Sequence, residues 1–211
     1  MALSMKIDLH VHTAERSACG QSGEEQVIRA AIEYGLDALA FTDHHCLIPP
    51  GLAAELSEEF APFRVFGGIE VTVGDEDFIV LGVQDASLER QDWDYAALHA
   101  FVRARGGFMF LAHPFRYHES ITVPIEACPP DGVELRSSNT APEDEPTVRQ
   151  LIDRLGCRSL YTSDAHLAEH VGMCYVELDR PAADERELVE LLREGNYRCA
   201  VDAARASMWS G

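Results

Sequence analysis

The stretch Lys6-Ile7-Asp8-Leu9-His10-Val11-His12 alternates around apolar positions and ends on two histidines. Period-two alternation predicts a strand, and the histidines at its carboxyl end put polar chemistry at one edge of the fold. Downstream, Ser22 with Glu25 three residues later has the spacing of a capping box. It predicts a helix that carries Val27, Ile28, Ala31 and Ile32 and stops near Gly35. Ala38-Leu39-Ala40-Phe41 then reads as a buried strand.

The same alternation runs through the chain. Helices are predicted over 52–60, 95–105, 143–155 and 184–194, each closed by glycine or proline. Strands are predicted over 64–73, 78–83, 108–112, 133–135, 159–163 and 175–178, with Gly74-Asp75-Glu76-Asp77 as a polar turn and the proline-rich 118–131 as a loop. Apolar strands alternating with helices indicate an α/β domain with a mostly parallel sheet. Doubly wound and closed-barrel arrangements both fit that pattern.

With 211 residues, 46% of them hydrophobic, the chain has enough apolar material for one compact domain over 1–211, residues 1–4 reading as a remnant or disordered start. Seventeen basic against 36 acidic side chains leave a formal charge of −19. Such a surface repels nucleic-acid polymers and anionic membranes, whose binding depends on Lys and Arg displacing counterions. The six cysteines are scattered without a CxxC pair, as in a reduced intracellular protein. There is no signal-peptide pattern and no apolar run long enough to span a bilayer, so a soluble, cytoplasmic protein is expected.

Polar residues recur where strands end: His10 and His12, Thr42-Asp43-His44, Gly68-Ile69-Glu70, Ala112-His113-Pro114, and Ser163-Asp164-Ala165-His166. In α/β folds that edge is where the loops surround a common mouth. Residues two apart on a strand share a face, so His10 with His12, and Asp164 with His166, can each chelate one ion. Imidazole with carboxylate suits zinc, manganese or iron. Glu70, in an otherwise apolar strand, must be paired or metal-bound. Two or more ions would polarise a phosphoryl oxygen and lower the pKa of a bridging water. Arg116 and Arg136 are candidates to clamp a phosphate bidentately. His118, or an acidic group near Asp164, is the candidate proton donor to the leaving oxygen.

In this order and spacing, Asp8-Leu9-His10-Val11-His12-Thr13, Phe41-Thr42-Asp43-His44, Gly68-Ile69-Glu70, Ala112-His113-Pro114 and Ser163-Asp164-Ala165-His166 resemble the PHP (polymerase and histidinol phosphatase) superfamily. The resemblance implies a distorted (β/α)7 barrel with two or three divalent ions (zinc, manganese or iron) at its carboxyl face. It also implies His10, His12, His44, Glu70, His113, Asp164 and His166 as ligands. The implied function is a metal-dependent phosphoesterase that hydrolyses a small phosphate ester with a metal-bound hydroxide. The alternatives are a hydrolase of an amide or cyclic ester, and a non-catalytic metal-binding module. Relatives often carry a third-site ligand shortly after the HxH. Here the segment is Ala14-Glu15-Arg16-Ser17-Ala18-Cys19-Gly20, where Glu15 is the nearest carboxylate and Cys19 a candidate thiolate, so the number of ions stays open between two and three.

Overall fold

A computed structural model describes residues 4–205. Along the chain run β1 (Met5–Val11), α1 (Glu24–Glu33), β2 (Ala38–Phe41), α2 (Leu52–Glu59), β3 (Arg64–Val73), β4 (Glu76–Leu81), α3 (Tyr95–Ala104), β5 (Phe108–Leu111), β6 (Gly132–Arg136), α4 (Glu145–Leu155), β7 (Arg158–Tyr161), β8 (Cys174–Leu178), α5 (Glu185–Glu194) and β9 (Tyr197–Val201). One nine-stranded sheet takes the order β7-β6-β5-β4-β3-β2-β1-β8-β9.

The sheet rolls into a nearly closed barrel. Beyond β7 the chain returns to β1, where Ala165 bridges Val11 in parallel. There His12 N donates to Ala165 O at 2.9 Å and Ser163 N to Asp8 Oδ1 at 3.0 Å. At the opposite end β8 takes the edge of β1 in antiparallel register, Ile7 opposite Val176, and β9 extends the sheet. The Tyr197 hydroxyl of β9 then donates to Ser159 O of β7 at 3.0 Å. The barrel is therefore drawn together at the carboxyl mouth, while elsewhere the antiparallel β8–β9 pair stands between β1 and β7.

Ile7, Leu9, Ala40, Phe66, Ile79, Leu81, Phe108, Phe110 and Leu160 form one core cluster, and α5 inserts Leu188, Val189, Leu191 and Leu192 into it. Each such side chain stabilises by roughly 1.5–3 kcal/mol on burial, so α5 anchors the barrel through its apolar stripe. Its start is fixed by Asp184, whose side chain accepts from Glu187 N, and its end by Gly195 in the left-handed region at φ 79°. Leu188→Ala would leave a cavity there, a change that costs about 2–5 kcal/mol. Outside the sheet, α1 and α2 cover Leu39, Phe41 and Val65, while α3 and α4 cover Met109, Leu111, Val133 and Leu135.

Three features depart from the sequence-based expectation. First, β4 runs antiparallel to both β3 and β5. Only Gly74 and Asp75 separate β3 from β4, and two residues can close a hairpin whereas a parallel crossover needs a dozen or more. Second, β9 forms an unanticipated edge on β8. Third, the capping box at Ser22 does not form. The Ser22 hydroxyl accepts from Ala168 N at 3.0 Å, and both carboxylate oxygens of Glu15 lie 3.1 Å from Glu24 N at the start of α1. At the start of the chain, expected to stand apart over 1–4, residues 1–3 lie outside the described residues, while Ser4 Oγ donates to Glu177 Oε1 at 2.6 Å.

Candidate metal centre

The register of β1 against β2 shifts between Asp8 and Val11. Leu9 stays in the interior core and Val11 packs outward with α1, while His10 and His12 converge at the mouth. Their Nε2 atoms stand 3.0 Å apart. Glu70 Oε2 lies 3.3 Å from His10 Nε2 and 3.1 Å from His12 Nε2. Asp164 Oδ1 lies 3.2 and 3.1 Å from the same two nitrogens. Ligands about 2.0–2.2 Å from a common ion stand about 2.8–3.6 Å apart, from an octahedral to a tetrahedral edge, and all five separations fall in that span. The donor set therefore fits a cation at its centre. All four side chains are buried, so the arrangement is closed to bulk water.

A second set of groups extends this core. Glu70 presents its two oxygens to different neighbours: Oε2 also lies 3.3 Å from His44 Nε2, whereas Oε1 lies 3.2 Å from His113 Nε2. Asp77 Oδ2 and Asp164 Oδ2 are each 3.9 Å from His113 Nε2. Four overlapping groups have the donors to hold a divalent ion: His10–His12–Glu70, His10–His113–Asp164, His44–Glu70–Asp77 and His12–Cys19–His44–His166. Rings of His44 and His166 stack on His12, with centroids 4.8 and 4.4 Å away.

Further contacts orient these donors. His10 Nδ1–H donates to Glu134 Oε1 at 3.1 Å, which leaves Nε2 as the free donor atom. Glu134 also accepts from His113 N at 2.7 Å and from Thr162 Oγ1. His166 Nδ1–H donates to Asp164 O at 3.0 Å, and Asn139 Nδ2 donates to Asp164 Oδ2. His113 and Asp164 both carry positive φ, 26° and 51°, as do His45 and Phe115. Non-glycine residues in sparsely populated backbone regions cost about 1–3 kcal/mol each and persist only where their surroundings over-determine them, as the contacts around His113 and Asp164 do.

Electrostatics follow from this packing. Burial disfavours charge on His10, but Asp164 and Glu70 outweigh it and raise its pKa well above the ordinary imidazole value. His12 is likewise pulled down by burial yet raised to about 9 by Asp164 and Glu70, and His113 is raised by Glu70 against burial. Burial pushes Glu70 and Asp164 up, but the neighbouring histidines hold both well below the usual carboxylate range. Asp164 therefore enters the cluster as an anion. Burial lowers His44 and His166, with charge on His12 acting in the same sense.

His10, His12, His44, Glu70, His113, Asp164 and His166 thus meet at one mouth. Glu15 does not join them, being occupied at the exposed start of α1. Arg136 turns away and grips Glu145 of α4, Nε to Oε2 at 2.8 Å, so its guanidinium fork is taken. His118 stands in an exposed loop, 3.6 Å from Asp75 at the β3–β4 turn. Arg116 does reach the cluster, Nη1 lying 3.6 Å from Asp164 Oδ2, with about a third of the side chain exposed. Asp77 was taken for part of a turn. Its signal lay in alternation, since Asp77 shares a face of β4 with the interior Ile79 and Leu81. Asn139 lies outside any strand or helix and carried no sequence signal.

A mixed barrel with a buried histidine–carboxylate cluster at its carboxyl mouth is the architecture of a metal-centre enzyme. Residues 8–113 match the PHP domain and residues 143–197 the PHP-associated region, and the chain belongs to the PHP family. Over 84 residues, 40% of the chain, it is 33% identical to the PolC-type DNA polymerase III of Caldanaerobacter subterraneus subsp. tengcongensis, and it spans 6% of that polymerase's length. Among solved structures it resembles PsfC from Pseudomonas syringae, with a TM-score of 0.71 at 16% identity over 98% of this chain and 95% of that one. A two-domain protein from Bacteroides vulgatus, described as containing a predicted PHP-like metal-dependent phosphoesterase, also gives 0.71 at 19% identity, over 95% of this chain and 65% of that one. Because one relative is a DNA polymerase, the expectation of a small substrate rests on this chain's own acidity. Among the described residues no helix is long and apolar enough to cross a membrane.

Proposed function

We propose that this protein is a metal-dependent phosphoesterase of the cytoplasm that hydrolyses a small phosphate ester. The observation that carries the reading is the closing of His10, His12, Glu70 and Asp164 around one point at ion-ligand spacing. His44, His113, His166 and Asp77 supply donors for one or two further ions. Zinc, manganese or iron bound there supplies Lewis-acid activation of water and neutralises charge on the phosphoryl oxygens.

The chain's own residues do the rest. Glu134 holds His10 in the tautomer that leaves Nε2 free. Asn139 and Arg116 hold Asp164 Oδ2, and Arg116 is the cation at the mouth whose planar fork matches a phosphate. The formal charge of −19 supports a small ester over a nucleic-acid polymer, and six free cysteines support a reducing compartment. The test is a screen of phosphomonoesters and amide or cyclic-ester substrates after loading with zinc, manganese or iron. Turnover of a phosphomonoester is expected; metal binding with no phosphate-ester turnover under any of the three ions would overturn it.

A further inference from the structure

We propose that Cys19 supplies a thiolate ligand, with His44 and His166, to one ion of the cluster, making that ion's site selective for thiophilic metals. This rests on the metal centre argued above and deepens it.

The donor atoms of Cys19, His12, His44 and His166 lie within 4.8 Å of one another, so the cysteine is one member of a group that includes three imidazoles. Its placement is built into the loop after β1. Ser17 N donates to Thr13 O at 2.9 Å and Gly20 N to Ser17 O at 3.0 Å, which curls 13–20 back on itself. A side chain at Gly20 would collide with the Thr13 carbonyl, so only glycine lets the turn close this tightly. Gln21 N then donates to His166 O at 2.8 Å, tying the loop to the strand-end segment that carries His166.

The histidines are prepared for a ligand. His166 spends its Nδ1–H on Asp164 O, leaving Nε2 as its free donor atom. Ser17 Oγ accepts from His44 N at 3.0 Å and stands 3.4 Å from His12 Nδ1, so one hydroxyl fixes the approach of both. His12 Nε2 already belongs to the central group with His10, Glu70 and Asp164. That leaves Cys19, His44 and His166 as three protein ligands with an open fourth position, the pattern of a reactive rather than a purely structural site. Glu70 Oε2 lies 3.3 Å from His44 Nε2, so this group stands directly beside the central one. Binding converts Cys19–SH and a divalent ion into a sulfur–metal bond with release of one proton. A thiolate favours zinc or cobalt over manganese and magnesium more strongly than the central group, with its two imidazoles and two carboxylates, does.

Cobalt titration of the chelator-stripped full chain tests this by absorption. The wild-type protein is expected to show visible ligand-field bands together with a near-ultraviolet thiolate-to-cobalt charge-transfer band. Cys19→Ser is expected to lose the charge-transfer band and one equivalent of tightly bound zinc while keeping the ligand-field bands; Cys46→Ser is expected to keep both. Zinc is also expected to protect Cys19 from alkylation, read by peptide mass spectrometry, which needs no variant to fold. A wild-type spectrum with ligand-field bands but no charge-transfer band, or alkylation of Cys19 unaffected by zinc, overturns the inference. No cobalt bands of either kind would instead overturn the metal centre as a whole.

Discussion

Glu134 Oε1 lies 3.1 Å from His10 Nδ1 deep in the barrel, with both side chains wholly buried. The same carboxylate accepts from His113 N and from Thr162 Oγ1, so one residue of β6 orients groups delivered by β1, β5 and β7. A carboxylate behind a ligating histidine fixes its ring and raises its basicity, and losing it typically costs 10- to 100-fold in metal affinity or activity. Glu134→Gln is accordingly expected to weaken metal binding by about 10- to 100-fold. Competitive chelator titration checks this, and unchanged affinity would show that Glu134 is only filling the barrel.

Glu70 faces four histidines with its two oxygens, so its removal takes a shared anion from two of the donor groups. Glu70→Gln is expected to lower both metal content and turnover by about 100-fold or more, since buried charges that lose a partner are strongly disfavoured. Elemental analysis of the purified variant, alongside its melting temperature, separates lost metal from lost fold.

Without metal, the raised histidines give the protein a pH dependence of definite sign. His12 titrates at about 9 when folded against 6.5 as a free side chain, and His10 and His113 are raised as well. Their contribution is fully present below pH 6.5 and is lost as pH rises through about 9. The melting temperature of the stripped protein should therefore fall between pH 6.5 and 9, while zinc-loaded protein shows a smaller fall. Zinc affinity should rise over the same interval as fewer protons must leave. Paired thermal melts with and without zinc measure both, and a flat apo profile would contradict the assignment.

Arg116 Nη1 lies 3.6 Å from Asp164 Oδ2 with about a third of its side chain exposed, and on the proposed reading it meets the substrate. Arg116→Ala is expected to raise KM for a phosphate ester by about 10-fold or more, with a smaller change in kcat, because charged hydrogen bonds contribute about 1.5–3 kcal/mol. Arg116→Lys should recover part of the effect, since the charge returns without the fork. Arg136→Ala, which removes the pair with Glu145 and a contact with the Tyr161 ring, should leave KM unchanged.

Glu15 caps α1 instead of binding metal. Glu15→Ala is expected to lower stability by about 0.5–1 kcal/mol, the usual scale for losing a helix N-terminal partner, with metal stoichiometry unchanged. Denaturant unfolding and elemental analysis together decide between the two roles.

How much of this was legible in the chain differs from residue to residue. The apolar strands, the glycine-terminated helices and the placing of histidines and carboxylates where strands end were all written in local pattern, because periodicity follows from backbone geometry alone. What the linear order could not carry was direction and distance. The reversal of β4 turns on a two-residue connection, and the mouth closes only because 163–165 returns to hydrogen-bond with β1. A register shift between Asp8 and Val11 and positive φ at His113 and Asp164 decide where their side chains converge, and both are set by neighbours remote in sequence. For the same reason Glu15, Arg136 and His118 resembled site residues by proximity in the chain but found partners in Glu24, Glu145 and Asp75. Asp77 and Asn139 joined the cluster only through tertiary packing, which also brought Cys19 within reach of His44 and His166.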